Sequence, residues 1–305
     1  MRVLRTPDER FARLPDFPYP PHYADVHTET GEAVRIAWVE AGPSDGEPVL
    51  LLHGEPTWSF LWHKVIPVLA GAGLRAIAVD LVGFGRSDKP ADIADHTYAR
   101  HVAWVRELCF DVLELRKVTL VAHDWGGLIG LRLAAENLGR FARLIPTNTA
   151  LPTGDGTMPD PWWAFKRAIK VAPTIDFGMF VSLGVTQSLP PEVRDAYAAP
   201  FPDDSYCAGP RALPEIVPVA PDDPASQSNR AAWRKLVSTN LPALVAFSDG
   251  DPLTGALGPI FKHRLPGAKG LHHPVYHGAS HFTPEDAGPE LAGDVVAFIA
   301  DTPTR

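Results

Sequence analysis

In the run Val118-Thr119-Leu120-Val121-Ala122-His123-Asp124-Trp125-Gly126-Gly127, a carboxylate and an indole stand side by side. An apolar, β-branched stretch gives way there to two glycines and the helical pattern Leu128-Ile129-Gly130-Leu131-Arg132-Leu133-Ala134. A strand that turns sharply into a helix presents the side chain at the turn on the rim of an α/β sheet, a position suited to a nucleophile. Here that side chain is Asp124. A carboxylate attacking a saturated carbon forms an ester, which water can cleave; a serine attacking the same carbon would form an ether, which it cannot. Asp124 therefore points to displacement at an alkyl carbon, followed by hydrolysis of an alkyl-enzyme ester.

That hydrolysis needs a base and a group to orient it, in the chain order nucleophile, acid, histidine. The base is expected at His281, in Gly278-Ala279-Ser280-His281-Phe282. His277 and His281 are four residues apart, with His272 and His273 nearby, which raises a metal site as a rival reading. The Gly278-Ala279-Ser280 spacer disfavours the helix that would bring them to one face, so no metal is expected. For the acid, Asn148 after the sixth strand carries no charge, whereas Ser248-Asp249-Gly250-Asp251-Pro252-Leu253 follows the seventh. Asp251, beyond the Gly250 turn, is the better placed and Asp249 the second candidate; either could also be a plain turn former.

The segment His53-Gly54-Glu55-Pro56-Thr57-Trp58 should converge on the same rim. Its expected contribution is the backbone N–H of Glu55, joining that of Trp125 in an oxyanion hole; the Glu55 carboxyl supports the site rather than acting as an acid, and His53 is structural. If the leaving group is a halide, it needs a donor that does not neutralise Asp124. An indole N–H fits, which nominates Trp125 and, from later in the chain, Trp162 or Trp163. Both of the latter could equally anchor a short helix.

The elements that must position these groups read as an α/β pattern. Strands are predicted at 34–39, 48–52, 75–80, 118–123, 143–147, 241–247 and 274–276, with helices at 61–69, 98–115, 128–134 and 288–299. Strands alternating with helices of this length predict a mainly parallel, doubly covered sheet. Of 32 prolines, 13 lie between Pro152 and Pro224, in a stretch also rich in Trp, Phe and Tyr, so an inserted cap of short helices is expected there. The domain division is then a core of 1–151 and 229–305 and a cap of 152–228.

At 45% hydrophobic and 21% charged the composition is globular, and a net charge of −8 leaves no footprint for nucleic acid or an anionic membrane. The opening Met1 to Arg10 is too charged for the apolar core of a signal peptide, and no segment holds the ~18 apolar residues of a membrane span, so a soluble, cytoplasmic protein is expected. Cys109 and Cys207 are isolated and read as reduced.

With these residues assigned, the chain resembles the haloalkane dehalogenases of the α/β-hydrolase fold. The resemblance runs through Thr6-Pro7-Asp8-Glu9-Arg10-Phe11, His53 to Trp58, Gly83-Phe84-Gly85-Arg86-Ser87-Asp88-Lys89-Pro90, His123 to Gly127, Tyr197-Ala198-Ala199-Pro200-Phe201-Pro202-Asp203, Asp251 to Gly255, and Gly278 to Phe282. It is to the subfamily whose acid follows the seventh strand and whose halide sits between two tryptophans. The resemblance implies Asp124 as nucleophile, His281 as base, Asp251 as its partner, and Trp125 with Trp162 as halide ligands. Trp162 is preferred because Trp162-Trp163-Ala164-Phe165 looks like the Trp-x-x-Phe spacing of related caps. An apolar pocket including Leu128, Phe165 and Leu253 would take a small haloalkane and water and release halide and a primary alcohol, with no cofactor, in a monomer or weak oligomer. The chain departs from the family at Ser280, where Gly is more usual, and at Pro284, where Gln is; these bear on efficiency, not on reaction type. The rivals are an epoxide hydrolase, which would need Tyr197 and Tyr206 as phenolic donors, and a silent binder of apolar ligands, against which the full Asp124, Asp251, His281 set argues.

Overall fold

The computed structural model describes residues 1–303. Its sheet is built from β1 (Pro21–His27), β2 (Ala33–Ala41), β3 (Pro48–Leu52), β4 (Arg75–Asp80), β5 (Val118–His123) and β6 (Phe141–Thr147), in the order β1-β2-β4-β3-β5-β6. The β1-β2 and β2-β4 pairings are antiparallel and the rest parallel. Strands covered on both faces must be apolar throughout. Two adjacent inner strands largely obey: Val49 to Leu52 and Val118 to His123 are all buried, with Thr119 and His123 the polar residues among them. The strand missing from the sequence reading is β1, an edge strand whose polar residues leave only Val26 buried.

The expected strand at 241–247 forms a ladder only at β7 (Phe247–Ser248), paired in parallel with β8 (Val275–Tyr276). Upstream, Leu244 and Ala246 donate N–H groups to Leu144 and Pro146, and Leu144 donates to Pro242. Pro146 and Pro242 have no N–H to return, so the pairing is present but interrupted.

Helices α1 (Ile66–Gly71), α2 (Tyr98–Glu107) and α3 (Trp125–Glu136) connect the parallel strands, and α11 (Gly288–Asp301) packs beside α1. The helix expected at 61–69 is split into a 3₁₀ turn, Ser59–Trp62, and α1. Between β6 and β7 run α4 (Asp160–Val171), α5 (Phe177–Leu183), α6 (Pro191–Ala198), α7 (Ala208–Ile216) and α8 (Ser226–Leu236). Pro161 and Pro191 fall in the first turns of α4 and α6, where a missing N–H costs nothing. The abundance of proline there is thus compatible with order. The expected boundary at 228/229 falls inside α8, which packs on α3 through Arg132 Nη1 donating to Asn229 Oδ1 at 3.2 Å.

Every loop nominated above leaves the carboxyl end of a strand: Glu55 after β3, Asp124 after β5, Asn148 after β6, Asp251 after β7 and His281 after β8. In an open α/β sheet that edge is where ligands bind. Among the described residues no helix is long and apolar enough to cross a membrane.

Candidate active site

Asp124 closes β5 with φ 48° and ψ −123°, outside the regions a side chain normally tolerates. The turn is held on all sides. Its N–H donates to Asn148 O at 3.1 Å, and its carbonyl accepts from Gly127, Leu128 and the Thr149 hydroxyl. Glycine is obligatory at two neighbours: a Cβ on Gly126 would lie 2.1 Å from Leu52 O, and one on Gly54 2.2 Å from Asp124 Oδ1. The second approach lets the Glu55 N–H donate to Asp124 Oδ1 at 2.8 Å.

The other oxygen, Oδ2, lies 3.7 Å from His281 Nε2, and His281 Nδ1 lies 3.1 Å from Asp251 Oδ2 in an ion pair whose N–H is not aligned as a hydrogen bond. Asp251 also accepts from Leu253 N at 2.8 Å, Asn148 Nδ2 at 3.1 Å and the Thr254 hydroxyl. Burial works against its charge, yet the His281 imidazolium and these donors outweigh it and hold the carboxyl well below the usual range. Burial likewise opposes charging of His281, but Asp251 and then Asp124 raise its basicity above the ordinary value. Burial raises Asp124, with His281 and the N–H groups of Trp125 and Glu55 pulling the other way. The backbone carbonyl of His281 accepts from His123 Nε2 at 2.8 Å, and burial depresses the His123 imidazole to about 3, so it stays neutral.

Asp249, the second candidate acid, is elsewhere: it is exposed and pairs with His277 Nδ1 at 2.7 Å. His277 and His281 therefore face different carboxylates and do not share a site. His53 accepts from Leu81 N through Nε2 at 3.0 Å and is buried.

Above Asp124 opens a cavity of about 780 Å³, lined by Trp125, Leu128, Trp162, Phe165 and Leu253 among others. Trp163 is not in the lining; it packs edge-on against Trp162, ring centres 4.8 Å apart. No protein group accepts from the indole N–H of Trp125 or Trp162 among the described residues. No tyrosine lines the cavity.

A model of the alpha/beta hydrolase fold family matches residues 47–180. The chain is 47% identical over 303 residues to a haloalkane dehalogenase of Psychrobacter cryohalolentis, spanning 99% of this chain and 100% of that one. To a haloalkane dehalogenase of Mycobacterium marinum it is 48% identical over 299 residues, spanning 98% and 100%. The chain belongs to the haloalkane dehalogenases. Its fold is similar to that of the tetrameric haloalkane dehalogenase DpaA of Paraglaciecola agarilytica, with a TM-score of 0.90 at 32% identity over 97% of this chain and 98% of that one. The enzyme is thus a hydrolase acting on carbon–halogen bonds.

Three features of this dehalogenase site were not legible beforehand. Asn148, set aside as an uncharged alternative to the acid, is the group that ties Asp251 to Ser248 Oγ at 2.6 Å and to Ser280 O at 3.3 Å. Glu55 has its carboxyl buried at the cavity wall with Oε1 unpartnered; burial and then the Asp124 charge raise its pKa well above the ordinary value and favour its protonated form. The third is where the two departures from the family pattern fall in the fold. Ser280 lines the cavity and donates its N–H to Asp286 Oδ2 at 2.8 Å, while Pro284 opens α10 (Thr283–Asp286), where its missing N–H is harmless.

Proposed function

We propose that hydrolysis runs in two steps on the residues of this cavity. Asp124 Oδ2 attacks the carbon in line with the halogen, the carbon–halogen electron pair leaves as halide, and the indole N–H groups of Trp125 and Trp162 stabilise it. His281 Nε2, oriented by Asp251, then takes a proton from water as its oxygen attacks the Asp124 ester carbonyl. The oxyanion forms on Oδ1, against the N–H groups of Glu55 and Trp125. Collapse releases the alcohol and regenerates Asp124; haloalkane and water become primary alcohol, halide and a proton.

The observation that carries this reading is the asymmetry of the Asp124 carboxylate. Oδ1 is held by the Glu55 N–H, as a carbonyl oxygen awaiting negative charge should be, and Oδ2 is on the His281 side. Trp162 is favoured over Trp163 because only Trp162 lines the cavity. Residues 152–228 act as a cap that excludes bulk water, and one chain supplies all the groups named, so a monomer or weak oligomer suffices. The epoxide reading is disfavoured because Tyr197 spends its hydroxyl on Glu285 at 2.6 Å and neither Tyr197 nor Tyr206 lines the cavity.

Trapping tests the scheme. With His281→Gln and a bromoalkane, bromide release of one equivalent and a mass increase by one alkyl group on Asp124 are expected. Halide release with unmodified Asp124 would overturn it, and diol formation from an epoxide in the wild type would favour the rival.

A further inference from the structure

The charges that line the cavity are unevenly distributed. Glu55, Asp124, Asp251 and His281 belong to the catalytic end, and of the other lining residues only Arg264 is ionised. Arg264 ends α9 (Gly258–Arg264), with its guanidinium carbon 3.9 Å from the centre of the Trp233 ring. Trp233 also lines the cavity and is itself fixed, its Nε1 donating to Leu151 O at 2.8 Å.

Arg264 has no carboxylate partner among the described residues, as is true also of Arg86 and Arg140, but unlike them it lines the cavity. Arg75, Arg100 and Arg230 are each paired with a carboxylate, whereas among the described residues no oxygen accepts from Arg264. Its side chain is exposed at the rim of the cavity, where contact with Trp233 partly desolvates it and lowers its basicity. Nor is it needed to complement the end of α9, since Lys262 of the same turn supplies a cation there without lining the cavity. A guanidinium stacked on an indole keeps its N–H edge free and in a fixed plane, the arrangement that receives a carboxylate bidentately.

We propose that Arg264 is a recognition subsite for the far end of the substrate, and that this enzyme prefers haloalkanes bearing a carboxylate at the end opposite the halogen. The proposal rests on the two-step reading, which fixes the halogen at Trp125. The cavity has the room: at the ~30 Å³ that a water-sized group occupies, a chain of about a dozen heavy atoms takes less than half of the 780 Å³. Much of the remaining lining is apolar, including Leu128, Leu253, Leu257 and Ile260, and suits a methylene chain. With a net charge of −8 the protein as a whole repels anions, so an anionic tail needs a local cation at the lining.

The test compares bromohexanoate, bromooctanoate and bromoundecanoate, each brominated at the terminal carbon, with their methyl esters. In the wild type the acid of at least one length is expected to exceed its ester in kcat/KM. In Arg264→Gln the acid-to-ester ratio should fall about tenfold, chiefly through KM, the size expected for a hydrogen bond to a charged group. Arg264→Lys, keeping the charge without the planar fork, should recover part of the ratio. Esters as good as acids at every length, or a ratio unchanged in Arg264→Gln, overturns the proposal. Calorimetric binding of undecanoate against undecanol reads the same subsite without turnover: the carboxylate preference should be present in the wild type and lost in Arg264→Gln, and its absence counts against Arg264 alone. Failure to release bromide from every acid and every ester would overturn the two-step reading instead.

Discussion

Asn148 Nδ2 stands 3.1 Å from Asp251 Oδ2, the same oxygen that lies 3.1 Å from His281 Nδ1. The Asn148 Oδ1 atom meanwhile accepts from Ser248 N at 3.0 Å, so one side chain fixes both ends of the loop that carries the acid. Replacing it with Ala removes a donor from a buried carboxylate and leaves the Ser248 N–H unpaired. The expected cost is about 1–3 kcal/mol of stability, read by urea denaturation, with slowed hydrolysis of the alkyl-enzyme in a burst experiment. Unchanged single-turnover kinetics in a folded Asn148→Ala protein would remove Asn148 from the positioning machinery.

The rate should depend on pH through His281. Burial lowers its basicity, but Asp251 and Asp124 raise it further, so the folded value lies above the ordinary 6.5. Only the neutral imidazole can take a proton from water, so hydrolysis should increase with pH through a midpoint above 6.5. Asp251→Asn removes the main raising charge; the midpoint should move to lower pH while the maximum rate drops. For stability the signs are opposite in the two partners. The raised His281 stabilises the fold fully below its unfolded value and ceases to do so as pH rises through the folded one. The depressed Asp251 stabilises above its unfolded value near 3.8, and that contribution is lost as pH falls below it.

Glu55 makes a prediction that a charged carboxylate would not. Because burial and Asp124 raise its pKa in the folded chain above the ordinary 4.5, the folded form binds a proton more tightly than the unfolded one and raising the pH favours the unfolded chain. Glu55→Gln replaces a neutral acid by a neutral amide of the same shape. Its melting temperature should gain on the wild type as pH is raised from 5 to 8, with turnover kept within a few-fold. A variant stabilised equally at both pH values would mean that Glu55 is ionised in the native protein.

Trp162 and Trp163 are adjacent in sequence but only Trp162 lines the cavity. Trp162→Phe deletes an N–H donor while keeping an aromatic ring, and kcat/KM for a bromoalkane should fall roughly 10²-fold, in the range for losing one donor at a developing charge. Halide binding, followed by quenching of the Trp125 fluorescence, should weaken in parallel. Trp163→Phe should change either by no more than a few-fold. The reverse pattern would exchange their roles.

Tyr197 joins α6 to the helix that follows His281. Its hydroxyl and His63 and Lys64 surround the Glu285 carboxylate, which is held at about 2 against the cost of burial. Tyr197→Phe should therefore lose about 1–3 kcal/mol of stability by urea denaturation, with no effect on the bond-breaking step in single turnover. A selective loss of that step would make the phenol a participant in the chemistry.

Much of this site could be read without coordinates. The proposed nucleophile Asp124, the proposed base His281 and the N–H of Glu55 lie where strands end, and a strand end is marked locally, by an apolar run breaking at Gly or at Asp-Trp-Gly-Gly. The order β3, β5, β6, β7, β8 along the chain then dictates which loops meet, because parallel strands joined by helices bring all their carboxyl ends to one edge. The choice of Asp251 over Asp249 was legible to a degree from the intervening Gly250, yet what separates them is tertiary: Asp251 is enclosed by Asn148, Thr254 and His281, and Asp249 faces solvent and His277.

What the sequence left open depends on distance and solvent access rather than on residue type. Glu55 reads as an ordinary acid until its burial beside a second carboxylate raises its pKa and favours its protonated form. Trp162 and Trp163 share a residue type and a helix, and only the packing of α4 decides which indole lines the cavity. Arg264 sits among Lys262 and His263 like any basic helix end; only the fold stacks it on Trp233 without an anionic partner at the lining. Residue identity along the chain pointed to displacement at an alkyl carbon, since a carboxylate at a strand-to-helix turn forms an ester that water can cleave, but the elbow alone did not separate a halide from an epoxide as leaving group. Tertiary structure decided the protonation states and the shape and charge of the cavity, because desolvation and Coulomb interactions act through space and are not written in the local order of residues.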